Sequence, residues 1–202
     1  MRRARNKART HRAIFVAALD LFDADGYERV TIGQICEAAD VARATFFLHF
    51  PSKQALLVAL DYLLAAELAG RLGASASSAI AECRALVDGL AQVGPRRLRA
   101  LLSAGFTDAG RTSGLHAVAA DIVERGQRRG ELRRNVSPPL AASIILAGAL
   151  SVLSEPTAGG SAGTRETRRN ELLHTLLHGL REIKPRLKWR PQPQQPPGRV
   201  RP

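Results

Sequence analysis

Residues 31–53 read TIGQICEAADVARATFFLHFPSK, and two short helices are legible in them. Thr31 precedes Ile32-Gly33-Gln34, a hydroxyl at a helix start with an amide three residues on, the pattern of a capping box. The helix it opens is expected to end near Ala39. Asp40-Val41-Ala42 then makes a tight turn, and a second helix follows from about Arg43 to His49. Two short helices so joined have the dimensions of a helix-turn-helix. Ile35, Ala39, Val41, Phe46 and Phe50 are spaced to fill the small core between them, and Cys36 is compact where the helices approach. Asp40 falls where the chain must turn left-handed, a conformation that glycine takes best and Asp tolerates. The second helix presents Arg43, Ala44, Thr45 and Phe47 at its N-terminal end, the part that meets base edges in a major groove.

The flanks extend the helical reading. Upstream, Ile14, Ala17, Ala18, Leu21 and Phe22 share one face of a helix expected over about Ala8–Ala24, which Asp25-Gly26 ends. Downstream, Pro51-Ser52 opens a long helix through Leu72. Amphipathic stretches follow over Ser75–Val93, from Pro95 to about Phe106, and over Ser113–Arg129. Pro138-Pro139 opens an almost wholly apolar helix, Leu140–Leu153. A Gly/Ser/Thr linker from Pro156 to Gly163 leads to a last helix, Arg165–Ile183, striped by Leu172, Leu173, Leu176, Leu177 and Leu180. No strand-like alternation or repeat interrupts the series. The expected fold is all-α, with about nine helices.

Charge is unevenly spread. The 202 residues carry 30 Lys+Arg against 18 Asp+Glu. Arg2, Arg3, Arg5, Lys7, Arg9 and Arg12 put +6 on residues 1–12, and Arg181, Lys184, Arg186, Lys188, Arg190, Arg199 and Arg201 against Glu182 put +6 on residues 181–202. The body between them is neutral. Two basic ends on a neutral body suit a polyanion such as nucleic acid, or serve as solubilising tails. Residues 185–202 hold six prolines and few apolar groups, a composition that does not bury enough surface to order itself.

Other function classes are disfavoured. GxSxG, HExxH, P-loop and dinucleotide glycine patterns are absent, so no enzyme is expected. His174 and His178 have a metal-compatible spacing without a third ligand, so no metal or other cofactor is expected. Cys36 and Cys83 form no disulfide framework, which fits a reducing cytoplasm. The basic start runs into apolar residues 13–19, but Asp20 and Asp23 interrupt it as an export signal. The apolar run Leu140–Leu153 has 14 residues where a bilayer needs about 20, so no membrane partner is expected.

With these residues in place, the run Ala13-Ile14…Ala17-Ala18…Leu21-Phe22…Gly26-Tyr27…Thr31-Ile32…Ile35-Cys36…Ala38-Ala39…Val41…Thr45-Phe46-Phe47…His49-Phe50…Ser52-Lys53…Ala55-Leu56-Leu57 resembles the N-terminal domain of TetR-type transcriptional regulators. The match covers about residues 10–60. The resemblance implies a homodimer on the two half-sites of a palindromic double-stranded DNA operator, and a small-molecule effector bound in the C-terminal domain. Carried over by position, Thr31 caps its helix and touches a phosphate, Arg43 and Thr45 lie over base edges, and His49 and Lys53 contact phosphates. Ala42 and Phe47 complete the expected DNA-binding set. The chain departs from the pattern at four of these places: Phe47 replaces a tyrosine, Asp40 a glycine, Ala42 a hydroxyl, and Leu48 an aromatic or histidine.

The domain organisation expected from all this is a basic unstructured arm at 1–9, a DNA-binding domain at 10–52, a helical regulatory and dimerisation domain at 53–184, and an unstructured tail at 185–202. The last two body helices are expected to pair with their copies in a second chain, because one helix-turn-helix reads only a half-site. The expected function is an operator-binding regulator, a repressor released by its effector. Two alternatives stand beside it: a non-specific architectural nucleic-acid binder, or a helical adaptor without DNA recognition.

Overall fold

The computed structural model describes residues 2–72, 78–105, 114–155 and 162–181. Among them lie nine α-helices: α1 (Arg2–Asp25), α2 (Ile32–Ala38), α3 (Arg43–His49), α4 (Lys53–Leu72), α5 (Ala79–Ala91), α6 (Pro95–Ser103), α7 (Gly114–Arg128), α8 (Pro138–Ser154) and α9 (Ala162–Leu180). The all-α expectation is met. One isolated antiparallel bridge, Leu132 to Arg181, ties the end of α9 to the α7–α8 connection.

Helix α1 begins earlier than expected. Residues 2–9, read as an unstructured arm, form its first two turns. No helix breaker separates them from the packed part, and Arg, Ala and Lys are good helix formers, so an existing helix extends through them at little cost. Ile14, Ala18 and Phe22 are buried at helical spacing, and Gly26 (φ +85°) ends α1 with its N–H donating to the Phe22 carbonyl at 3.0 Å.

The regulatory half is built around α8, which packs on α6, α7 and α9. Its all-round apolar sequence is therefore largely satisfied within one chain: Ala141, Ala142, Ile145, Leu146, Ala149, Leu150 and Leu153 are buried. At Gly148 a Cβ would crowd Leu172 of α9. On α9 itself Leu173, Leu177 and Leu180 are buried, and Leu172 and Leu176 are half-buried. Ala162 and Gly163, expected in a linker, are helical. The rest of that linker, Phe106, and the expected tail at 185–202 lie outside the described residues.

Three buried polar groups lock the helices together. His116 Nε2 lies 3.0 Å from both the Pro139 carbonyl and Ser143 Oγ, joining α7 to α8. Asp61 of α4 accepts the Leu115 N–H at 3.0 Å, at the start of α7. Gly114 (φ +61°) is required there, since a Cβ would lie inside the Asp61 carboxylate. Glu82 of α5 is buried between Arg125 of α7 and Arg129, just past the end of that helix. Burial first and the Glu82 charge second push the neighbouring Cys83 thiol up to about 12, so it stays protonated.

Candidate nucleic-acid interface

The interface is assembled from local rules. The Thr31 hydroxyl accepts the Gln34 N–H at 3.3 Å while the Thr31 N–H donates to Gln34 Oε1 at 2.8 Å, the reciprocal cap expected of this sequence. Helix α2 buries Ile35 and Cys36, and the chain reverses through Asp40, the one non-glycine residue with positive φ (+50°) among those described. Asp40 is thus in the left-handed conformation its position called for, with its carboxylate exposed.

Helix α3 starts at Ala42, whose carbonyl accepts the Phe46 N–H at 3.1 Å but whose side chain offers no cap. Phe46 is fully buried and anchors the helix. Its ring meets Phe47 edge-on at 5.4 Å and lies tilted 6.0 Å from Phe50. The opposite face is open: Arg43 is exposed, Phe47 is 46% exposed and Leu48 79%, with the Arg43 guanidinium 6.0 Å from the Phe47 ring. Thr45 is half-buried beside them. Arg43, Ala44 and Phe47 therefore form one exposed surface at the N-terminal part of α3.

His49 sits at the other end of α3, half-buried, and its Nδ1 is buried without a hydrogen-bond partner. The His11 ring of α1 packs edge-on to it at 5.9 Å and lies 4.4 Å from Phe50. Burial, then the charges of His11 and Lys7, hold His49 below the usual histidine value, which favours its neutral form. The sequence reading did not associate His11 or Lys7 with His49. The signal was present: Lys7, His11, Ile14 and Ala18 share one face of α1, the face from which His11 meets His49 and Phe50.

Lys53 is placed differently from expectation. Its Nζ donates to the Tyr27 carbonyl at 2.8 Å and to the Val30 carbonyl at 2.9 Å, and lies 4.3 Å from the Tyr27 ring. The ammonium is turned under the α1–α2 connection rather than outward. Those two loop carbonyls have no helical partner, and a cation at the start of α4 satisfies both. Lys53 thereby fastens α4 to the helix-turn-helix.

Charge pairing sharpens the outline. None of the exposed cations Arg5, Lys7, Arg9, Arg12 and Arg43 makes an ion pair among the described residues. Arg5, Arg9 and Arg12 share one face of α1, away from Lys7 and His11, while Arg43 stands on α3 with the exposed Asp40 and Glu37 carboxylates on the neighbouring segment. No helix of the described residues is long and apolar enough to cross a membrane.

Comparison with known proteins agrees with this geometry. Residues 14–60 match the family described as bacterial regulatory proteins, tetR family. The HTH-type transcriptional regulator TcmR of Streptomyces glaucescens is 48% identical over 52 residues, 26% of this chain and 23% of that protein. The A-factor receptor protein of Streptomyces griseus is 29% identical over 167 residues, 74% of this chain and 56% of the other. The chain thus spans about a quarter and about half of the length of these curated relatives. A crystal structure of a tetR family transcription regulator from Shewanella sp. PV-4 shares the fold with a TM-score of 0.64 at 22% identity, covering 86% of this chain and 99% of that one. On the helix-turn-helix geometry and the matched residues together, residues 14–60 of this chain are similar to the tetR family of bacterial regulatory proteins.

Proposed function

We propose that the chain is a homodimeric, operator-binding transcriptional regulator of the cytoplasm, without catalytic activity, and that it represses until a small-molecule effector releases it. One observation carries the reading. Helix α3 is anchored by a buried Phe46 and turns outward an exposed Arg43 that is in no ion pair among the described residues. In this reading Arg43 reaches guanine O6 and N7, Thr45 lies over base edges, and Phe47 packs on a thymine methyl. Thr31 and His49 approach phosphates and fix register. Ala42 lets the backbone at the start of α3 come close to the duplex. Lys53 acts chiefly by holding α2 and α4 together, and Lys7 and His11 join the phosphate-facing set.

The second chain is assigned to α8 and α9. Leu140 (49% exposed) and Ile144 (44%) lie one turn apart on α8, and the adjoining α9 carries the half-buried Leu172 and Leu176. A second copy covering this face doubles the helix pair into a four-helix bundle and supplies the other half-site reader. The effector is inferred from the receptor named among the relatives, and its pocket is assigned to the regulatory helices.

The test is selection of a random duplex library by the purified chain at about physiological salt. An enriched palindrome with half-sites roughly one helical turn apart is expected. Retention without enrichment would instead support a non-specific architectural binder, and no retention would overturn the DNA-binding reading.

A further inference from the structure

The junction between the two halves contains a cleft that DNA recognition does not use. Its volume is about 400 Å³, within the range of small-molecule sites. One wall is the α1–α2 connection with Tyr27 and Arg29; the other is α6 with Arg96, Arg99 and Ala100, and the end of α8 closes it at Ser154. The walls belong to different units of the molecule. Most of the cleft surface is apolar, with Ala100 buried and Tyr27 half-buried.

The cations in this cleft are unusual for the body of the protein. Arg29 Nε donates to the Asp25 carbonyl at 2.6 Å, Arg96 donates to the Asp23 and Ala24 carbonyls, and Arg99 donates to the Ser154 carbonyl at 3.0 Å. None of the three is in an ion pair among the described residues, although Asp25 and Glu28 also line the cleft. Three cations against two carboxylates leave the cleft with one positive charge to spare. Each guanidinium has five N–H donors and keeps most of them free, in the planar fork that suits a carboxylate. The backbone carbonyls orient the arginines without neutralising them.

We propose that this cleft binds a small organic carboxylate with an apolar body, its head group on Arg29 and Arg99 and its body along Tyr27 and Ala100. The site is separate from an effector pocket inside the regulatory helices. A ligand there touches both units at once, so occupancy favours the arrangement in which they are held together. Any consequence for DNA affinity rests on the function proposed above, but binding itself does not.

The test is calorimetric titration of the full chain with decanoate and with 3-phenylpropionate, using 1-decanol and decylamine as neutral and cationic counterparts. Saturable binding of at least one carboxylate is expected, with the alcohol and amine weaker. The double variant R29Q/R99Q should weaken carboxylate binding by about tenfold or more, as charge-assisted bonds disappear. Ser103→Trp, at the exposed rim, should block the cleft while leaving the arginines intact; circular dichroism checks that each variant is folded. No saturable carboxylate binding would overturn the proposal. So would equal binding of the alcohol or amine, or carboxylate affinity unchanged in both R29Q/R99Q and S103W, which would place the ligand elsewhere. DNA selection on the same preparation separates the two readings, since either can fail without the other.

Discussion

Every described arginine in an ion pair lies in the regulatory half, although Arg96 and Arg99 there have none. In the regulatory half Arg125 pairs with Glu82 and Asp121, Arg128 with Glu124, Arg129 with Glu82 and Glu131, Arg168 with Glu155, and Arg169 with Asp88 and Glu166. The exposed cations of the first turns of α1 and Arg43 of α3 have no such partners among the described residues. Paired charge joins helices at Glu82 and Asp88, while the charge on α3 is left open, where the proposed function places a polyanion. The contrast implies that stability and DNA affinity are separable by mutation.

The largest expected effect lies on the paired side. Glu82→Ala leaves Arg125 and Arg129 without the carboxylate they share and opens a buried cavity; with the arginines partly solvated it should cost about 3 kcal/mol of stability. Chemical denaturation would measure this drop, and operator affinity per folded dimer should be unchanged. The mirror experiment is Arg43→Ala. Its side chain is exposed and unpaired, so stability should hold while operator binding weakens by about 1–3 kcal/mol, with preference relaxed at one base pair of each half-site. If E82A weakened recognition directly, or R43A bound every half-site variant like the wild type, the separation would not exist.

A smaller effect concerns the first turns of α1. Replacing Arg5, Arg9 and Arg12 with Gln should lower the salt slope of binding by about one unit for each phosphate no longer neutralised, with little change in sequence preference. Titrations of operator and random duplex across several salt concentrations would show it; a change confined to the operator would mean that these arginines read sequence. Smaller again is Asp40→Gly. At φ +50° glycine is relieved of the left-handed penalty, so stability should rise by up to about 1 kcal/mol, and removing a carboxylate near the DNA should tighten binding most at low salt. Denaturation midpoints and low-salt titrations measure the two parts.

How much of this was legible follows the range of the forces involved. The Thr31–Gln34 cap, the left-handed Asp40 and the Phe46–Phe50 core depend on residues within a few positions, and sequence spacing displays them. The Pro-led starts of α6 and α8 are local for the same reason. The Glu82 partners lie 43 and 47 residues away, and the Asp61 contact with Leu115 spans 54. No spacing within one helix announces such pairs. Lys53 shows the limit most clearly: position identifies a cation at the start of α4, but whether it points to solvent or to the Tyr27 and Val30 carbonyls depends on how the α1–α2 connection folds over it.

The smallest effect is also the most specific to this site. Because His49 is held below its ordinary value by burial, His11 and Lys7, the unfolded chain binds its proton more readily than the folded one. Its contribution to stability is therefore fully present above the ordinary histidine value, near about 6.5, and declines as pH falls from there toward the depressed folded value. A phosphate brought against the cluster reverses the balance, since negative charge favours the protonated ring. Operator binding should accordingly take up protons, and affinity should rise as pH falls from about 7.5 toward about 6 while stability declines. His49→Gln should flatten both dependences, and His11→Gln should raise the His49 titration by removing one of the groups that depress it. NMR titration of the histidines in free and DNA-bound protein reads these shifts directly. An affinity independent of pH in the wild type would mean that no phosphate comes within reach of His49, and that the end of α3 serves only to pack.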